Sequence, residues 1–149
     1  MDRYLVVADV GVEAPELKDF VRRHDGERAM FHLVVPTRPD RTHLTWTEGE
    51  AHVVARGRLA DGLTWMQEIH PGTDGEIGDI DPILAIDDAL RATTYDAIVL
   101  AMTERSPRRR ASVATQARLA FRLPVVDVLE TPRSFAVASG STEGLPQTA

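Results

Sequence analysis

The chain has 149 residues, 43% of them apolar and 27% charged, with a formal charge of −6. That length suits one domain with a full core, and the composition is too ordinary for disorder along the whole chain. The acidic balance argues against a general nucleic-acid binder, no run approaches the roughly 18 apolar residues of a membrane span, and the lack of cysteine excludes disulfides, thiolate metal sites and a cysteine nucleophile.

Arg3 to Ala8 (RYLVVA) is a nearly continuous apolar run, the pattern of a strand buried on both faces. Asp9-Val10-Gly11 breaks it. Pro15 suits a helix N1 position, and Leu17, Val21 and His24 fall on one face of the helix that follows. Phe31 to Val35 (FHLVV) is a second buried strand, in which His32 is read as a packing residue. Thr37 to Thr47 is a loop, its His43 and Trp46 placed for a lid or a partner contact. Thr47-Glu48-Gly49-Glu50 has the form of a capping box. Ala51, Ala55, Leu59, Gly62, Met66 and Ile69 then recur at helical spacing, a helix of about six turns. Pro71-Gly72 ends it.

Thr73 to Gly78 is short and polar, and is a strand by position more than by composition. Asp81-Pro82 starts a helix by a capping carboxylate and a proline that needs no partner for its nitrogen. Ile83, Ile86, Ala89 and Leu90 form its buried stripe. Asp96 to Met102 (DAIVLAM) is a further buried strand. Ser106-Pro107 predicts another helix start, leading a helix that buries Val113, Ala117, Ala120 and Phe121. Pro124 to Val128 (PVVDV) is the last strand. From Glu130 hydrophobes thin out, so residues 1–129 are expected to form the domain and 130–149 a flexible tail.

Strands and helices alternate, which predicts an α/β fold: a doubly wound, five-stranded parallel sheet with helices on both faces. Ligands of such sheets bind beyond the carboxyl ends of the strands, where strand order reverses. Residues 9–13, 36–38, 78–80 and 102–110 belong to that end. Lys18 is the sole lysine, so a Schiff-base or P-loop mechanism has one candidate. No Ser, His and acid form a nucleophile-elbow pattern. A phosphoacceptor domain of the receiver type fails too, because the first strand ends in Asp9 alone and no lysine follows the fifth.

YLVVADVG, the stretch GEIGD followed by PILAI, YDAIVLA and LPVVDV together resemble the first, third, fourth and fifth strands of universal stress proteins, over residues 3 to 129. The sequence is most similar to divergent actinobacterial members that begin RYLVVA. ATP-binding members carry Gly-x2-Gly-x9-Gly-Ser/Thr after the fourth strand, and those glycines admit phosphate to the backbone N–H groups. Here the glycine positions hold Ala101, Glu104 and Ala114, and only Thr115 matches. Asp9 matches the family's first-strand aspartate. The resemblance therefore implies a binding or regulatory module that is not an enzyme, without ATP binding in the family's mode and without a cofactor.

The alternative is a nucleotide, ATP or AMP, or another phosphate. It would be held by Asp9, Thr115 and a loop rebuilt with Arg105, Arg108, Arg109 and Arg110. Arginines around a helix N-terminus make an anion site; equally, they make a solvated loop on an acidic protein. Asp9 has two readings of its own, a contact to ribose or metal and a turn cap. Asp79 and Asp81 stand near enough in the topology to join Asp9 at a cation, but Asp81 is already accounted for as a cap, and no metal is expected. The resemblance implies a homodimer through the edge strand Pro124–Val128. The N-terminus runs into the first strand without a cleavage site, so the expected location is the cytoplasm.

Overall fold

The computed structural model describes residues 2–25, 28–37, 48–103 and 112–130. Five parallel strands form one sheet: β1 (Arg3–Ala8), β2 (Met30–Pro36), β3 (Asp74–Gly78), β4 (Ala97–Ala101) and β5 (Val125–Asp127). Among the described residues four helices accompany them: α1 (Pro15–His24), α2 (Glu48–Ile69), α3 (Pro82–Ala92) and α4 (Val113–Ala120). A 3-10 turn, Val10–Glu13, links β1 to α1. The strand order is β3-β2-β1-β4-β5. The chain thus moves outward from β1 to β3, returns beside β1 as β4 and ends at the opposite edge. This is the doubly wound α/β sheet expected from the sequence.

The period of two along each strand splits the core between the two faces. Val6, Ala8, Phe31, Leu33, Val35 and Val99 meet Leu17, Phe20 and Val21 of α1 and Ala55 and Met66 of α2. On the other face Leu5, Val7, Val34, Ile98 and Leu100 meet Ala85, Ile86 and Ala89 of α3 and Ala114 and Ala117 of α4. Leu5, Val6, Val7 and Ala8 are all fully buried, which is why β1 reads as an unbroken apolar run. Burying a Val, Leu or Ile side chain contributes roughly 1.5–3 kcal/mol, so β1 is the sheet's central anchor.

The expected helix starts occur at α1 and α3. Pro15 opens α1, and the Asp81 side chain accepts from Ile83 N at the start of α3, with Pro82 next. The helix predicted from Ser106-Pro107 is different. α4 begins at Val113, and its N-cap is Ser112, whose backbone is extended and whose hydroxyl accepts from Thr115 N. Ser112 is extended and bounds α4, and Ser106 and Pro107 themselves lie outside the described residues. A hydroxyl six residues further on therefore supplies the cap. Two burial expectations also change: Ala120 is exposed, and His24 is half-buried with Nδ1 bonded to Phe20 O. Thr47, His43, Trp46 and the 130–149 tail beyond Glu130 lie outside the described residues. Among the described residues no helix is long and apolar enough to cross a membrane.

Candidate functional site

The sheet reverses between β1 and β4, so the switch point lies beyond Ala8 and Ala101. Asp9, the first residue after β1, is 5% exposed there. Its Oδ1 accepts from Gly11 N at 2.8 Å, which closes a local turn. Across the gap, Thr103 N lies 3.0 and 3.1 Å from the two carboxylate oxygens, and Thr103 Oγ1 lies 3.1 and 3.0 Å from them. The carboxylate is therefore the acceptor that ties the β1 loop to the β4 loop. Gly11 lies so close to β4 that a Cβ on it would stand 2.1 Å from Ala101 O. Of the two sequence readings of Asp9, the turn cap is what the structure contains, with a cross-strand role added by Thr103.

The rest of this end is built by β2, β3 and α3. Thr37 N and Thr37 Oγ1 both donate to Gly78 O, at 3.1 and 3.0 Å, and fasten the ends of β2 and β3. Asp79 Oδ1 accepts from Asp81 N, so both carboxylates serve their own loop. Among the described residues no three His, Cys, Asp or Glu side chains are grouped to hold a metal. Lys18 is 3.4 Å from Glu13 and lies over the Trp65 ring at 5.7 Å, while Trp65 Nε1 donates to Val12 O. The lone lysine thus helps hold the turn after β1 to α2.

Of the glycine positions in the ATP motif, Ala101 is fully buried in β4 and Ala114 is 3% exposed in the α3–α4 core. Their methyl groups fill packing sites. Thr115 is exposed, one turn into α4, and its hydroxyl lies 3.2 Å from Ser112 Oγ. Arg105, Arg108, Arg109 and Arg110, with Glu104, lie outside the described residues. The structure thus brings Asp9 together with Thr103, a residue the sequence reading did not single out. The signal for Thr103 was its place two residues after the buried run of β4, where a donor faces the end of β1.

A hollow of about 230 Å³ lies at the opposite end, where the strands begin. Arg3, His32, Asp74, Glu76, Thr93 and Tyr95 supply its polar wall. His32 is not the packing residue expected from the sequence: its Nδ1 lies 2.8 Å from Asp74 Oδ1 and its Nε2 2.9 Å from Glu76 Oε2. Burial of the ring opposes protonation, but the hydrogen bonds and charges of Asp74 and Glu76 outweigh it and raise the His32 pKa above its ordinary value. Burial, reinforced by the same carboxylates, also pushes the Tyr95 phenol up, against the opposing effect of Arg3.

Three solved structures superpose on this chain over most of their length. A universal stress protein in complex with cAMP matches with a TM-score of 0.57 and 11% identity, covering 83% of this chain and 94% of that one. The chain has the universal-stress-protein fold. A universal stress protein from Archaeoglobus fulgidus agrees, with a TM-score of 0.54, 19% identity and coverage of 85% and 92%. A hypothetical protein gives 0.57 and 12%, with coverage of 85% and 94%. No family model and no curated protein matches the sequence. Within the universal-stress-protein fold, the Asp9–Thr103 pair occupies the switch point at which such sheets take ligands.

Proposed function

We propose that this chain is a non-catalytic binding or regulatory module that does not take ATP in the manner of the nucleotide-binding stress proteins. The observation that supports this reading is the engagement of Asp9. Its buried carboxylate accepts from Gly11 and Thr103, and a ribose hydroxyl or a cation would compete with these donors for it. The alanines at the glycine positions agree, since a Cβ limits how closely phosphate approaches a backbone N–H. The proposal further places the module in the cytoplasm as a homodimer.

The second reading is a nucleotide- or phosphate-binding protein that uses Arg105, Arg108, Arg109, Arg110 and Thr115. What favours it is that one structure of the same fold was solved with cAMP. One experiment separates the two. The purified protein is denatured and any released nucleotide identified by mass. No nucleotide in stoichiometric amount is expected; recovery of ATP, AMP or a cyclic nucleotide overturns the first reading in favour of the second.

A further inference from the structure

We propose that His32 is a proton-operated clip that fastens the edge strand β3 to β2, so that β3 loosens when the imidazole loses its proton. β3 is one of the two edge strands of the sheet. It has five residues, two of them glycine, and none is fully buried; it pairs with β2 alone. His32 stands opposite Asp74 in the register, and Asp74 and Glu76, two residues apart on one strand, project to the same face. One ring therefore reaches both carboxylates, one from each nitrogen.

The chemistry of imidazole makes this arrangement depend on charge. A protonated ring donates from both nitrogens, whereas a neutral ring has one N–H and one lone pair. After proton loss one of the two carboxylates faces that lone pair at hydrogen-bond distance, oxygen against nitrogen with no hydrogen between them. The carboxylates have somewhere to go, because the Asp74 and Glu76 side chains are 76% and 54% exposed while His32 is 18% exposed. They turn to water and the ring stays.

The other groups around the ring set the titration. Arg3 from β1 lines the same hollow, Tyr95 stands before β4 with its ring centroid 6.2 Å from that of His32, and Asp96 accepts from Arg3 N beside it. α3 contributes Ala89 and Ala92 to this hollow, and its C-cap contributes Thr93. The two β3 carboxylates prevail and the folded pKa is raised. For a raised histidine, the stabilisation is complete below the free value of about 6.5 and is lost as pH rises through the folded value. The consequence reaches the other end of the sheet, because β3 ends at Gly78, whose carbonyl holds both donors of Thr37 at the rim of the switch-side loops.

Amide hydrogen exchange on the intact protein tests this, corrected for intrinsic rates and followed from about pH 6 to about pH 9, a window that brackets histidine titration. β5, the other edge strand, has no histidine and serves as the internal reference. Protection of residues 74–78 relative to 125–127 should fall as pH rises, with the midpoint of the His32 ring titration seen by NMR. The fall should be about tenfold for each unit by which that midpoint exceeds the free value. His32→Gln should show low relative protection at every pH. A flat profile in the wild type, or an equal fall in His32→Gln, overturns the clip. The double variant Asp74→Asn, Glu76→Gln keeps the histidine and should lower its midpoint towards about 6.5; an unmoved midpoint overturns the clip as well.

Discussion

The Asp9 carboxylate receives both the backbone N–H and the hydroxyl of Thr103, 94 residues away, and so holds the ends of β1 and β4 together. Those ends are where strand order reverses, the place from which a doubly wound sheet takes its ligands, and this pair bridges them. The buried Gly11 N–H depends on the same carboxylate. Asp9→Ala should therefore destabilise the fold by about 1–3 kcal/mol, the cost of stranding a buried donor. Thr103→Val should cost less, because Thr103 is exposed and its N–H remains. Denaturant unfolding of the two single variants and the double variant measures the coupling. A coupling energy near zero would mean that the two residues stabilise the crevice independently.

Two glycine substitutions should change stability in opposite directions. Gly11→Ala places a Cβ 2.1 Å from Ala101 O and 2.9 Å from Ala101 C, backbone atoms of a central strand that cannot move aside cheaply. The turn after β1 must shift, at about 1–3 kcal/mol, the usual range for overpacking. Gly57 lies on the exposed side of α2, and a Cβ there meets nothing within 4 Å. Gly57→Ala should stabilise by up to about 1 kcal/mol, from helix propensity alone. Thermal unfolding of both variants beside the wild type checks the signs.

What the sequence revealed follows from how much of each element is buried. β1, β2 and β4 lie between helices on both faces, so their runs Leu5 to Ala8, Leu33 to Val35 and Ala97 to Ala101 are apolar and mark themselves. α2 displays Ala51, Ala55, Gly62 and Met66 at helical spacing because it packs along one stripe. β3 sits at an edge and is held by polar groups, so Asp74-Gly75-Glu76 carries no apolar signal, and the role of His32 appears only once β2 and β3 are in register. Thr103 was missed for a related reason: its partner is 94 residues away and only the fold makes them neighbours. The start of α4 was misplaced because Ser106-Pro107 has sound local chemistry, and nothing local distinguishes it from Ser112.

The nucleotide question turns on affinity. With Ala101 and Ala114 packed in place of glycine, ATP should bind no tighter than about millimolar, or roughly 4 kcal/mol. Calorimetry reporting micromolar ATP affinity would falsify that. If the arginines act as an anion site, sulfate should raise the melting temperature of the wild type, and replacing Arg108, Arg109 and Arg110 by Gln should remove the rise. An equal rise in both proteins would reflect exclusion of the salt from the surface and dismiss the site.

Assembly depends on the β5 edge. Ile98 N donates to Pro124 O and Val128 N donates to Leu100 O, so by alternation Val125 and Asp127 turn their backbone groups away from β4. A second β5 meeting this edge about a two-fold axis would close both edges into a dimer. Val126 is 38% exposed and offers apolar contact. Two local features oppose it: Arg118 Nη2 donates to Val125 O at 3.2 Å and already occupies an outward carbonyl, and Asp127 carries charge onto the strand. The charge is partly turned inward, since Asp127 Oδ1 accepts from Leu129 N at 3.1 Å, and burial pushes its pKa above the ordinary value despite that bond. A carboxyl with a raised folded pKa costs stability above that pKa, and the cost fades as pH falls through it. Asp127→Asn, which keeps an acceptor for Leu129 N, should therefore raise the melting temperature at neutral pH, with the gain shrinking in acid. It should also tighten the dimer, as should Arg118→Ala, while Val126→Arg should break it. Light scattering at tens of micromolar, a range suited to weak edge pairing, reads each result against the monomer mass of 16.4 kDa. A wild-type monomer would rule out the dimer, and a dimer that survives Val126→Arg would place the interface away from β5.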